Sequence, residues 1–286
     1  MIQIETHFII CYYNFNVSQE RLNNINREIC RQEIKMLKHH EDSIKNMTAY
    51  YKEDPEITAL FLIGSVATGT ARPDSDLDGV AVVSQKYYDK LKNGIGTMQV
   101  VFGKCTYEKG YFDIHFKTRK QLIELAENGS EPMRNMLSAA RILYCSEPDL
   151  PEIVARIPVF QKKEAAQKQK RFYCTLKQFY NYYWRCCKPQ GFFRQYIANG
   201  MIFSLYRLIL LENKVLFPSS RKLEETVHRI TNKPDDIIEK CHRFMENLTD
   251  EEALELVTSY ESWTKYEFPT DIMVIINGFT DPYEWL

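Results

Sequence analysis

No apolar run in the 286-residue sequence approaches the roughly twenty residues needed to cross a bilayer, so no membrane span is expected. The start of the chain, from Met1 to Cys11, carries an acid and no basic cluster ahead of its short apolar run, which is not the pattern of a secretory signal. Nor is there an excess of basic charge. The 37 Lys and Arg against 38 Asp and Glu leave a net −1, without the electrostatic footprint of a general nucleic-acid binder. The eight cysteines form no Cys-x-x-Cys pair, and neither they nor the His39-His40 pair show zinc-like spacing, so they read as reduced thiols. Internal repeats and low-complexity tracts are also missing. What is left reads as a soluble, cytoplasmic protein whose 44% hydrophobic content supplies a core for one large domain or two ordinary ones.

Helix signals come first. Ser18 is a good N-cap ahead of a Leu22, Ile25, Ile29 stripe, and a second helical pattern covers 36–51 and is ended by Pro55. Short β-branched or aromatic runs at 57–63, 77–83 and 98–105 predict strands, and Glu108-Lys109-Gly110 turns the chain into a fourth at 111–117. Thr118 then opens a helix with Leu122, Leu125 and Ala126 on one face, and Pro132 opens another running toward Arg141. The pattern predicts an α+β fold with a mixed sheet of about four or five strands flanked by helices. Beyond Pro148, Pro151 and Pro158 the strand signals fade, and helical patterns cover 160–188, 192–212, 222–231, 235–247 and 250–263. The expected organisation is therefore a domain over 1–150 followed by a helical bundle over 151–286.

The chemistry-bearing residues cluster around the first two strands. Gly64-Ser65 ends one, and Asp76-Leu77-Asp78 begins the next. Because successive strand residues alternate faces, Leu77 turned into the core leaves both carboxylates on one side, suited to gripping one hard cation such as that of a magnesium-bound nucleoside triphosphate. Asp113 is a lone acid in the otherwise apolar strand Tyr111-Phe-Asp-Ile-His-Phe116, where burying it without a partner is costly. It is read as a base or a second-metal ligand, with a structural ion pair as the plainer reading. The plainer reading of Asp76 and Asp78 is a turn whose aspartates cap backbone groups, and Asp74 beside Pro73 is read as a turn residue. Gly64 and Ser65 stand where backbone N–H groups at a helix start can hold phosphate oxygens, although a Gly-Ser pair alone is more often a simple turn. Arg72 is read either as a bidentate phosphate contact or as a loop arginine. His115 falls on the same side as Asp113. The aromatics between Phe172 and Tyr206 make an interhelical core, with Tyr180 or Tyr183 as cleft candidates, and Lys162, Lys163, Lys168, Lys170 and Arg171 read as a solvated face or as phosphate contacts.

Gly64-Ser65, Ala67, Gly69, Ala71-Arg72-Pro73-Asp74 and Ser75-Asp76-Leu77-Asp78, with Ser65 eleven positions before Asp76, resemble the signature of the nucleotidyltransferase superfamily that includes polymerase-beta-like enzymes. The nearest likeness is to bacterial aminoglycoside and other antibiotic nucleotidyltransferases. Val66 stands where that signature has an aromatic, and Thr68 where it has an arginine near the triphosphate. The resemblance implies ATP or another nucleoside triphosphate as co-substrate, Mg2+ on Asp76, Asp78 and Asp113, and Gly64, Ser65, Arg72 and Ser75 around the nucleotide. A Pro-Ser loop ahead of Lys222 is similar to one in the helical domain of these enzymes and adds Lys222 to the nucleotide contacts. The implied reaction is transfer of AMP to a hydroxyl of a small molecule, an aminoglycoside or lincosamide antibiotic, with release of pyrophosphate, in a homodimer. A cationic aminoglycoside acceptor requires an acidic cleft, to which Glu124, Glu127, Glu131 and Glu212 are the candidates. The alternatives are a protein or RNA acceptor, against which the near-neutral charge weighs for RNA, and a nucleotide-binding regulatory module without turnover, against which the three gathered acids weigh.

Overall fold

Strand β1 (Ile57–Leu62) turns Leu60 and Leu62 to one face and Ala59 and Phe61 to the other, and all four are fully buried. A strand apolar on both faces belongs inside a covered sheet. The computed structural model, which describes residues 36–279, places it there. The helix expected from Ser18, and Cys11 and Cys30, lie outside the described residues. With β2 (Leu77–Val83), β3 (Met98–Phe102), β4 (Tyr111–Thr118) and β5 (Arg141–Cys145), the five strands run in the order β3-β4-β2-β1-β5. The sheet is mixed, since β2 and β4 are parallel while the other neighbours are antiparallel.

In chain order the helices of this region are α1 (Lys38–Lys52), α2 (Gly64–Thr68), α3 (Gln85–Asn93), α4 (Arg119–Asn128), α5 (Glu131–Met136) and α6 (Leu150–Ala155). One sheet face packs Leu60, Leu62, Leu77, Ala81, Phe112, Ile114 and Phe116 against Met47 and Tyr51 of α1 and Leu91 of α3. The other packs Ala59, Phe61, Val80 and Val82 against Leu122 of α4, Leu150, Ile153 and Val154 of α6, and Leu137 and Ile157. Thr118 caps α4 in a reciprocal capping box with Gln121.

Downstream the described chain is helical: α7 (Lys162–Gln178), a π-helical turn (Phe179–Trp184), α8 (Gly191–Glu212), a 3-10 turn (Ser220–Lys222), α9 (Leu223–Arg229), α10 (Ile237–Asn247), α11 (Asp250–Trp263) and α12 (Ile272–Phe279). Its core is built on Trp184, Leu205, Leu208, Ile209, Phe244 and Tyr260. Gly200 lets α8 approach the π turn, because a Cβ there would lie 2.0 Å from Phe179 Cε2. No helix among the described residues is long and apolar enough to cross a membrane.

The structure departs from the sequence reading at several elements. The helix expected to run from Pro132 toward Arg141 stops at Met136, and residues 141–145 instead form the edge strand β5 on β1. The single helix expected over 160–188 loosens into the π turn at its aromatic run. Strand β3 ends at Phe102 rather than at residue 105, and α3, α6 and α12 had no counterpart in the sequence reading.

One buried ionic hub ties the helical region to the sheet region. Glu131, at the first turn of α5, accepts from Lys168 Nζ of α7 at 2.5 Å, from Arg207 of α8 at 3.3 Å and from the Phe217 backbone N–H at 2.8 Å. Arg207 lies over the Phe217 and Phe172 rings, 4.1 and 4.5 Å from their centroids.

Candidate active site

The loop from Thr70 to Asp76 is shaped before any ligand arrives. Gly69 takes a left-handed conformation at the end of α2, and the Thr70 N–H donates back to the Ser65 carbonyl. Ser75 is buried, its hydroxyl accepts the Arg72 N–H at 2.9 Å, and its own N–H donates to the Arg72 carbonyl. From outside the loop, the Tyr107 hydroxyl donates to the Ser75 carbonyl, and His39 Nε2 lies 2.9 Å from the Pro73 carbonyl. This scaffold delivers Asp76 to the head of β2. Tyr107 and His39 carried no motif, so sequence reasoning missed them.

Parallel pairing of β2 with β4 puts Asp78 directly in register with Asp113. Asp76, Asp78 and Asp113 each offer a carboxylate oxygen within 4.8 Å of the others, the one such group of three or more His, Cys, Asp or Glu among the described residues. Three acids this close in a half-buried setting repel one another and lose hydration. Burial, followed by the charges of Asp76 and Asp113, pushes the Asp78 carboxyl up to about 7, while the Arg221 charge and a hydrogen bond from the Ser65 backbone N–H act in the opposite direction. Asp113 Oδ1 is buried without a hydrogen-bond partner. His115 Nε2 stands 4.0 Å from that oxygen. Hydrogen bonding to Asp76, with its charge, raises the Tyr111 phenol above its ordinary range.

Gly64 is fixed by the same cluster. Its φ is +71°, and a Cβ would lie 1.9 Å from Asp78 Oδ2. A side chain here would displace the carboxylate as well as strain the backbone.

The remaining sequence candidates divide. Gly64, Ser65 and Ser75 stand around the acids, with the Ser65 amide and the Ser75 hydroxyl already engaged as described. Arg72 is largely exposed and donates to Asp74 at 3.2 Å. Thr68 turns its hydroxyl back onto the Gly64 and Ser65 carbonyls of its own short helix. Lys222 is half-exposed and bonded to Glu225 at 3.0 Å, whereas its neighbour Arg221 is the cation whose charge reaches Asp78. Lys168 is buried in the Glu131 hub, and Arg171 donates to the Gly278 and Phe279 carbonyls. Tyr180 is core, while Tyr183 lines an aromatic cavity of about 530 Å³ with Phe172, Phe179, Tyr196 and Phe279. Of the acids considered for a cationic acceptor, Glu131 is committed to the hub and Glu212 accepts from Gln169, Tyr260 and Thr264. Glu124 and Glu127 lie exposed on α4. The six cysteines among the described residues are all unbridged thiols.

Residues 45–149 match the family model described as polymerase beta, nucleotidyltransferase, so this part of the chain is a nucleotidyltransferase domain of that superfamily. A comparison with curated proteins finds no match. Among solved structures, the chain is similar to a nucleotidyltransferase-like protein from Exiguobacterium sibiricum, with 11% identity and a TM-score of 0.45 over 84% of this chain and 77% of the other. It is also similar to spectinomycin adenyltransferase AAD(9) from Enterococcus faecialis, solved with ATP and spectinomycin, with 15% identity and a TM-score of 0.32 over 84% of this chain and 97% of the other.

Proposed function

We propose that this protein is a metal-dependent nucleotidyltransferase that moves AMP from ATP to a hydroxyl of a small-molecule acceptor and releases pyrophosphate. The observation that carries the reading is the convergence of Asp76, Asp78 and Asp113, with Asp113 Oδ1 buried and without a hydrogen-bond partner. The donor set fits the implied cation. Three clustered carboxylates are hard oxygen ligands of the kind Mg2+ takes, and a cation relieves both their repulsion and the orphaned oxygen. Bound there, Mg2+ supplies charge neutralisation for the triphosphate.

The chain's own residues do the rest. Gly64, Ser65 and the loop through Arg72 and Ser75 border the nucleotide, and Arg221 contributes positive charge on the side of Asp78, a place that resemblance alone would have given to Lys222. Asp113 takes the proton from the acceptor hydroxyl. The hydroxyl oxygen forms a bond to the α-phosphorus, the bond from that phosphorus to the bridging oxygen breaks, and pyrophosphate leaves with the electron pair. The reaction runs between two parts of the chain, a nucleotidyltransferase domain over 1–150 and a helical domain over 151–286 that closes over the nucleotide. The protein acts in the cytoplasm, as a homodimer.

The test is label transfer. With Mg2+, ATP labelled at the α-phosphorus and a panel of hydroxylated compounds including spectinomycin, the label passes to one class of acceptor with an equal amount of pyrophosphate. Absence of pyrophosphate with every acceptor, together with no ATP-induced thermal shift, would sink the enzyme reading.

A further inference from the structure

We infer that the acceptor of this site carries an apolar face, and that Met98, Val100 and Phe102 of β3 form the shelf on which that face lies. The inference rests on the nucleotidyl-transfer reading above. In the antiparallel pairing of β3 with β4, Met98 is opposite His115, Val100 opposite Asp113 and Phe102 opposite Tyr111. Residues directly opposite in such a pair project from the same face, with Cβ atoms about 5 Å apart. The shelf is therefore on the face that carries the base, immediately beside it.

Its exposure is unusual for its chemistry. Met98, Val100 and Phe102 are 52%, 40% and 71% exposed. The other two residues of β3 turn inward, Gln99 receiving the Tyr51 hydroxyl and Val101 packing on the core. Over β1 and β2 the same face is covered by Leu122, Leu137, Ile153 and Val154, so among the described residues the covering helices stop short of β3. The shelf is continuous with the acids through Tyr111, whose ring is 5.3 Å from that of Phe102 and whose phenol hydrogen-bonds toward Asp76.

This geometry selects an acceptor class. A hydroxyl held at Asp113 sits beside Val100, and side chains two apart on a strand are about 7 Å from one another, so the acceptor's flanks fall on Met98 and Phe102. Nothing in Met-Gln-Val-Val-Phe ionises, so ammonium groups laid on Met98 or Phe102, away from the acids, would lose hydration with no partner in the strand. Glu131 and Glu212 are bonded elsewhere, and Glu124 and Glu127 belong to α4 rather than to β3. A hydroxylated scaffold with an alkyl or aryl flank fits instead.

Alkyl β-glucosides from methyl to hexyl test this. In pyrophosphate-release assays with Mg2+ and ATP, kcat/KM should climb about two- to fourfold per methylene, the range from half to full burial of a CH2 group. In the Met98→Ser/Phe102→Ser double variant the climb should flatten, and Phe102→Leu should restore most of it. An independent arm needs no turnover: saturation-transfer NMR on the full chain with a non-hydrolysable ATP analogue should show the hexyl protons as the strongest epitope, lost in the double variant. Binding without pyrophosphate from any glucoside would uphold the shelf, and the transfer reading would fall only if the acceptor panel above is also silent and ATP gives no thermal shift. The shelf is overturned by kcat/KM that ignores chain length, by absence of glucoside binding, or by preference for amino-glycosides. It is equally overturned if the double variant leaves acceptor affinity unchanged but turns a sedimenting dimer into monomer, which would make the stripe a subunit contact.

Discussion

Replacing Glu131 should loosen the joint between the helical region and the sheet region. Its carboxylate is 5% exposed and meets two cations whose side chains are 8% and 2% exposed, Lys168 and Arg207, and it also accepts the Phe217 N–H. Removing one partner of a buried ion pair typically costs about 3–5 kcal/mol, because the remaining charge is left in a poorly solvated place. Lys168 keeps Glu164 at 3.0 Å and Arg207 keeps its aromatic neighbours, which lowers the figure. The orphaned Phe217 N–H adds about 1–3 kcal/mol. Together these give about 4 kcal/mol for Glu131→Ala and, at about 2–4 °C per kcal/mol for a chain of this size, a Tm lowered by about 10 °C. Glu131→Gln retains an acceptor for Phe217 and loses only the charge, so its loss should be near half. Thermal unfolding followed by circular dichroism reads both. An alanine variant within about 0.5 kcal/mol of wild type, the range of ordinary surface substitutions, would refute the account of the joint. Because Phe217 leads into the loop bearing Arg221, the variant should also raise the KM for ATP.

Two further outcomes follow from the site. The Asp78 carboxyl, at about 7 in the folded chain against an ordinary 3.8, makes the native state bind more protons than the unfolded state between those values. Stability therefore falls as pH rises through that window, by at most about 4 kcal/mol at 1.36 kcal/mol per unit and by about 1–3 kcal/mol once partial solvent access is counted. In EDTA, Asp78→Asn should unfold several degrees above wild type at pH 8 and level with it near pH 4, and an unfolding difference that ignores pH would contradict this. For the triphosphate, Arg221→Ala should raise the KM for ATP at least about tenfold, as loss of a charge-assisted contact does, while Lys222→Ala stays within about twofold. Steady-state kinetics showing the opposite order would return the role to Lys222.

What could be read from the chain beforehand follows from how local each signal is. Strand β2, the Thr118 cap and α11 behind Thr249 match the sequence reading because apolar alternation and capping are written in neighbouring residues. The alternation and the lone acid of β4 also brought Asp76, Asp78 and Asp113 forward as a set, and their meeting needed only the parallel register of β2 and β4. Strand β5 was hidden because Arg141-Ile-Leu-Tyr-Cys145 becomes a strand through long-range pairing with β1. Arg221 was hidden for a similar reason: the Pro-Ser loop is legible, but which of its two adjacent cations turns toward Asp78 is decided by tertiary packing. Glu131 read as a candidate for an acidic acceptor cleft because both its cations come from helices far along the chain. The shelf on β3 was legible as a strand, and its bareness required knowing where α4 and α6 end.

The central claim is that Asp76, Asp78 and Asp113 act together to hold the cation that accompanies the nucleotide. Electron paramagnetic resonance of Mn2+ titrated into the full chain with ATP tests it most directly. Wild type should take up the ion as a ternary complex, and Asp76→Asn and Asp113→Asn should each weaken that uptake at least about tenfold, consistent with loss of one of three carboxylate ligands. Uptake by Asp113→Asn at the wild-type level would contradict the account, because it would leave the buried, unpartnered Asp113 oxygen with no part in the site.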